Sequence, residues 1–245
     1  MKTKKARLNN VFSTNNALVN YLYDRRIIND KNVVAIMKKI NRKHFLMSNT
    51  PLIDRPSGLI LNQTISAPHI HGKALEILMP NCVPGNRVLD IGCGSGYLTA
   101  CFCELLKVNS NPNSMVVGID IFSGLTDLSL SNIKNHYIKY LPKYYGGKNL
   151  YDNVKILCAN GWSGYVPHAK YDVIHVGAAP DILPIQLIKQ LNDNGIMIIP
   201  IKNSYRIIKK NRNGKYFQSD LVNVRFVPLI EKPLPNKNTI DCIAE

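Results

Sequence analysis

Two acids and three glycines form the first group of residues able to do chemistry. Asp90-Ile-Gly92-Cys-Gly94-Ser-Gly96 follows a short apolar run and precedes a helical one. Asp120 ends the next apolar run, 120 − 90 = 30 residues on. In a strand–loop–helix unit, glycines let the backbone approach a ligand, and an acid after the second strand can hold ribose hydroxyls. A dinucleotide asks for G-x-G-x-x-G/A, so that a pyrophosphate sits on the helix N-terminus. From Gly94 the chain reads Gly-Ser-Gly-Tyr-Leu-Thr and fails at the last place. The pattern acid-x-Gly-x-Gly-x-Gly suits S-adenosylmethionine, which carries an ammonium, a carboxylate and a sulfonium but no pyrophosphate. Asp90 would favour the cationic methionine end, the N–H groups of Gly92, Gly94 and Gly96 its carboxylate, and Asp120 both ribose hydroxyls. The bland alternative is a tight turn with Asp120 as a helix cap.

Ser66, in Thr64-Ile-Ser-Ala-Pro-His-Ile-His71, is the second candidate. Its position before Ala67-Pro68 reads as an N-cap, a role that can coexist with orienting a carboxylate. No Ser–His–acid triad can be assembled. His69 and His71, two apart, do not share a helix face, so no common metal is expected, and His175 reads as core. Six cysteines without a CxxC pair read as reduced, mostly buried thiols.

These residues need a scaffold. Leu18, Leu22, Val33, Met37 and Ile40 recur at helical steps, with Asp30 as a cap, and Leu59–Thr64 reads as extended. A helix is expected from Ala67 to Met79. From Arg87 the chain alternates: strands at Arg87–Ile91, Met115–Ile119, Val154–Leu157, Tyr171–Val176 and Ile196–Ile201, helices at Tyr97–Leu106, Leu125–Tyr140 and Pro184–Leu191. That alternation predicts an α/β fold with a doubly wound, mostly parallel sheet. Tyr205–Lys209, Tyr216–Gln218 and Leu221–Val227 read as antiparallel strands around an Asn213-Gly214 turn. Asn109–Ser114 and Pro142–Asn153 read as polar loop insertions. One domain is expected over 1–245, with a helical front (1–58), a cofactor-binding core (59–201) and an antiparallel tail (202–245).

Three stretches carry a family resemblance: Thr64 to His71, Leu89 to Phe102, and Tyr171-Asp-Val-Ile-His-Val-Gly-Ala-Ala179. Together with Val117-Gly-Ile-Asp120 they resemble the protein-L-isoaspartate O-methyltransferases, along nearly the whole chain apart from the insertions. The resemblance implies a Rossmann-like class I methyltransferase fold and transfer from S-adenosyl-L-methionine to the free carboxylate of L-isoaspartyl residues, leaving S-adenosyl-L-homocysteine. It places the active-site serine on Ser66 and cofactor contacts on Gln63, Thr64, Ile65, His71, Ser95, Asp120, Ile121, Asn160 and Gly161. Two departures stand out. The family usually has Asp where this chain has Asn160, and Ile230 stands where relatives often carry a hydroxyl, so its contact would be through backbone or apolar packing.

Thirty-one Lys and Arg against 16 Asp and Glu give a net charge of +15, which invites nucleic acid. A base-amine methyltransferase would carry an Asn/Asp-Pro-Pro-aromatic segment after the fourth strand; here that place reads His175-Val-Gly-Ala-Ala-Pro180, and the charge is dispersed. A non-catalytic peptide-binding module would not need the intact glycines, Asp90, Asp120 and Ser66. The expected partners are isoaspartyl proteins and peptides, with no specific nucleic acid, membrane or metal, in a cytoplasmic monomer. Residues 1–7 are basic without a following apolar core, and no run is long enough to span a bilayer.

Overall fold

The helical spacing at the front of the chain becomes α1 (Asn15–Asp24) and α2 (Lys31–Lys39), whose inner faces bury Leu18, Leu22, Val33 and Met37. The structure is a computed structural model and describes residues 11–140 and 152–231. Asp30 caps α2 as its position forecasts, its carboxylate accepting from the N–H groups of Asn32 and Val33 at 2.7 and 3.3 Å. Leu59–Thr64 is not one extended run. β1 (Ser57–Gly58) and β2 (Thr64–Ile65) pair antiparallel, and the chain reverses between them through Leu61 and Asn62 at φ 56° and 55°. Positive φ is uncommon for leucine, which is why its sequence gave no warning of the reversal. α3 (Pro68–Leu78) has Ala67 at its N-cap and no side-chain cap bond. Ser66 is therefore not the cap. Pro68 at the first helical position has no N–H, and the next one, on His69, donates to Asp54 Oδ1 at 3.0 Å.

Alternating strands and helices follow. β3 (Arg87–Ile91), α4 (Tyr97–Leu105), β4 (Met115–Asp120), α5 (Ser123–Tyr140), β5 (Val154–Cys158), β6 (Tyr171–Val176) and α6 (Ile185–Gln190) lead into β7 (Leu191–Ile201), β8 (Ser204–Lys210) and β9 (Tyr216–Asn223). The seven strands from β3 to β9 lie in the order β5-β4-β3-β6-β7-β8-β9, parallel as far as β7 and antiparallel after it. Successive residues point to opposite faces. Val88, Val116 and Val173 accordingly join the core under the N-terminal helices, while Leu89, Val117 and Ile174 join the other. Strand order reverses between β3 and its neighbours β4 and β6, and a ligand crevice opens at the carboxyl ends of strands at such a point.

The tail differs in detail from the expectation of three short strands. β9 is continuous over Tyr216–Asn223, and the chain then leaves the sheet. Val224 N–H still donates to Asn203 O at 2.8 Å, after which Val227 O and Leu229 N–H bond the two sides of Ala179 at 2.7 and 2.8 Å. Pro228 needs no N–H in that pairing. Of the two polar insertions, Asn109–Ser114 forms turns closed by the buried Ser114 hydroxyl donating to Leu106 O at 2.7 Å, and residues 142–151 lie outside the described ones. Cys82, Cys93, Cys101 and Cys103 are free and buried as expected. Cys158 departs from the expectation, being disulfide-bonded.

Candidate active site

Between the end of β3 and the start of α4, Gly92, Gly94 and Gly96 have φ of 71°, 55° and 83°. Only glycine adopts three such conformations in five residues without strain. The loop is tied to β4: Gly92 and Cys93 donate to Ile119 O at 2.8 and 3.0 Å, and Gly94 N–H donates to Asp120 Oδ2 at 3.0 Å. Gly96 has a different task. A Cβ there would come 2.4 Å from Ser129 Oγ, so the glycine lets α4 start against α5.

A cavity of about 360 Å³ opens beside the loop, lined by Asp120, Ile121 and Phe122, by Leu61 to Thr64, and by Gly161, Leu229 and Ile230. Asp120 is 7% exposed, and its Oδ1 accepts from Phe122 N–H at 3.2 Å. Burial lifts its carboxyl from 3.8 to about 6, against the pull of the backbone N–H bonds. Gly161 is tightly enclosed, since a Cβ would come 2.7 Å from Ile91 Cγ2 and 2.8 Å from Leu229 Cδ1. Asn160 does not join Ala159 and Gly161 on this wall; its side-chain oxygen accepts from Trp162 N–H at 2.9 Å. Trp162 Nε1 in turn donates to Leu229 O at 3.0 Å, clamping the post-β9 segment over the cavity.

A smaller space of about 30 Å³ continues inward past Gly92 and Gly94, among Ile65, His71, Asp90, Ser95, Tyr97 and His175. Asp90 is 1% exposed, and both its oxygens are engaged: His175 Nδ1 lies 2.7 Å from Oδ1, and the Thr99 hydroxyl donates to Oδ2 at 2.5 Å. Its charge faces the space from a fixed position, and His175 is its partner there, not a bystander in the core. Burial, then the Arg42 charge, hold the His71 pKa well below 6.5, so the ring is neutral. Arg42 Nη1 lies 3.1 Å from His71 Nδ1. Because a guanidinium has no acceptor, Nδ1 accepts and the ring proton stays on Nε2. The Ser95 hydroxyl is buried with no partner among the described residues.

A third cavity, about 420 Å³, opens to the surface between Pro56, Ser66, Ala67, His69, Ile70 and the segment Asn223–Val227. Thr64 and Gly177 line all three spaces, and Ser66 lines both the open cleft and the small space. The three therefore meet at the carboxyl ends of β3 and β6. Gly177 must be glycine for space: a Cβ would come 2.9 Å from Gly92 O. His69 pairs with Asp54, Nδ1 to Oδ1 at 2.8 Å. Among the described residues no cluster of three or more His, Cys, Asp or Glu could hold a metal ion.

Of the site residues expected from sequence, only Gly96 and Asn160 are absent from these three walls. Arg42 was not anticipated. It sits in a basic run that reads as surface, yet it is 2% exposed, donates to Ser66 O at 2.7 Å and lies 5.5 Å from the Tyr97 ring centroid. Its backbone N–H is anchored by the Asn15 side chain at 3.1 Å, a contact 27 residues back that no local pattern encodes.

The family model described as protein-L-isoaspartate(D-aspartate) O-methyltransferase matches residues 13–234. The chain belongs to this family. A protein-L-isoaspartate O-methyltransferase of Triticum aestivum is 35% identical over 222 residues, spanning 89% of this chain and 92% of its own length. One from Caenorhabditis elegans is 34% identical, over 90% and 94% of the two chains. Among solved structures, a Plasmodium falciparum protein assigned to the same methyltransferase, in complex with S-adenosyl-L-homocysteine, superposes with a TM-score of 0.79 at 32% identity. That match covers 90% of this chain and 100% of the other.

Proposed function

We propose that this chain is a protein-L-isoaspartate O-methyltransferase that binds S-adenosyl-L-methionine across the two inner cavities and receives the isoaspartyl carboxylate in the open cleft. The observation that carries the reading is the meeting of the three spaces at Thr64 and Gly177, with Ser66 on the wall between cleft and cofactor. The residues fit the cofactor. Asp120 offers a carboxylate beside a cavity of nucleoside size, the buried Ser95 hydroxyl has no partner among the described residues, and Asp90 gives negative charge where an ammonium would lie. His71 Nε2–H and Ser95 Oγ–H are donors for the methionine carboxylate.

When bound, S-adenosyl-L-methionine supplies a methyl group on a sulfonium and leaves as S-adenosyl-L-homocysteine. An acceptor carboxylate is already ionised near pH 7, so its oxygen forms the new bond to carbon as the sulfur–carbon bond breaks, and no general base is needed. The protein's work is alignment and exclusion of water. Ser66 holds the carboxylate by a hydroxyl that leaves its charge intact, and Arg42 fixes the Ser66 backbone from behind. Burial lowers the Arg42 pKa only to about 10, so it remains a cation next to the incoming anion. The ester formed is a better leaving group than a carboxylate, so the succinimide re-forms and can reopen as ordinary aspartate. The reading goes with a cytoplasmic monomer using no metal. No described helix is long and apolar enough to cross a membrane.

The test is transfer of labelled methyl to an isoaspartyl peptide, its aspartyl twin and RNA. Base-labile label on the isoaspartyl peptide alone is expected. Equal labelling of both peptides, or label on RNA only, would overturn the reading.

A further inference from the structure

We infer that Arg225 makes the open cleft select isoaspartyl peptides that carry a second carboxylate next to the damaged residue. The inference rests on the reading of that cleft as the acceptor site. Its wall opposite Ser66 and His69 is the segment Asn223–Val227. This segment is pinned at both ends, by Val224 N–H on Asn203 O at 2.8 Å and by Val227 O accepting from Ala179 N–H at 2.7 Å. Between the pins Phe226 packs on Tyr205, ring centroids 5.4 Å apart. In extended chain, alternate side chains face opposite ways, so Phe226 turned inward leaves Arg225 on the open side, where it is exposed.

Charge in the cleft is one-sided. Among the described residues no acidic one lines it, and the carboxylate just behind it, Asp54, is taken by the His69 ring and N–H at 2.8 and 3.0 Å. Two cations of β8, by contrast, have acidic partners: Arg206 Nε lies 2.8 Å from Asp220 Oδ1 and Lys210 reaches Asp193 at 3.4 Å. Arg225 makes no ion pair among the described residues. A planar guanidinium held at the mouth of a cleft, with no acid of its own, matches a carboxylate in two parallel hydrogen bonds. The acceptor carboxylate belongs at Ser66, so the group Arg225 meets is a different one, an acidic side chain flanking the isoaspartyl residue. The chain's overall charge of +15 would draw any acidic peptide from a distance; Arg225 would add a preference for one position.

Isoaspartyl hexapeptides carrying Glu or Gln at each position flanking the lesion would be compared with the unmodified enzyme, Arg225→Gln and Arg225→Lys. A partly exposed pair gives about a threefold to fivefold lower KM for Glu than for Gln at one flank, with kcat alike. That ratio should collapse to about one in Arg225→Gln, persist in part in Arg225→Lys, and shrink in high salt. Methylation of every peptide without flank dependence, or the same Glu preference in Arg225→Gln, overturns the inference and leaves the function standing. No transfer to any isoaspartyl peptide overturns the function, and this inference with it.

Discussion

Asp120→Asn separates what the site gains from a buried carboxylate from what the fold loses by it. Burial raises this pKa from 3.8 to about 6, so between those values the folded protein holds a proton that the unfolded chain releases. Protonation thus favours the folded apo state at low pH, and that contribution is lost as pH rises through about 6. A shift of about two units corresponds to about 3 kcal/mol, an upper figure, since one pKa unit is about 1.4 kcal/mol. Asparagine removes that penalty at pH 7.5. It retains one acceptor for the N–H groups of Gly94 and Phe122 but sets an amide NH₂ against the other, a loss of about 1–3 kcal/mol. The two effects nearly cancel, and apo stability should stay within about 2 kcal/mol of the unmodified protein. Cofactor binding should not be spared. Losing charged acceptors for ribose hydroxyls costs about 1.5–3 kcal/mol, or about tenfold to a hundredfold in Kd. Calorimetric titration with S-adenosyl-L-homocysteine from pH 5 to 8.5, beside thermal melts, reads both. Below about pH 6 the unmodified protein should bind more weakly while Asp120→Asn changes less, so the two converge; His71, neutral throughout, adds nothing. Parallel pH profiles for the two proteins, or a melting loss as large as the affinity loss, would refute the reasoning.

Ser66→Ala should lower kcat for an isoaspartyl peptide about tenfold to a hundredfold and leave the Kd for S-adenosyl-L-homocysteine within about threefold, because the hydroxyl makes no helix-cap bond and faces the acceptor. Steady-state kinetics beside calorimetry distinguishes the two. Gly177→Ala drives a Cβ to 2.9 Å from Gly92 O, a backbone atom that cannot swing away; methyl transfer should fall at least about tenfold, read in the same assay. Gly96→Ala combines φ 83° with a Cβ 2.4 Å from Ser129 Oγ and should cost about 2–4 kcal/mol, measured by urea unfolding without ligand.

Much of the site was legible because its chemistry is carried by short contiguous segments. Gly92, Gly94 and Gly96 must be glycine for their dihedrals, and Asp120 ends the strand that follows the next helix. The parallel strands could be read because burial on both faces leaves an unbroken apolar run. Ser66 lines both the cleft and the small inner space, but its local reading as a cap does not hold: Pro68 at the first helical position moves the boundary by one residue. Asn160 was expected beside the cofactor, yet its oxygen turns back to Trp162, a choice between local and ligand hydrogen bonds that residue type does not decide.

The sequence by itself determined the order of strands and helices, the glycine turn and the two acids at the strand ends, since these depend on residue type and near neighbours. Tertiary structure alone decided which distant residues share a space. Arg42 reaches Ser66 and His71 only because Asn15 holds its backbone, and Asp90 meets His175 only because β3 lies beside β6. Arg225 lines the same cleft as Ser66 only because the chain leaves β9 to pair with Ala179. Each is a pairing across a fold, made when strands and loops far apart in the chain are packed together, and no local spacing records it.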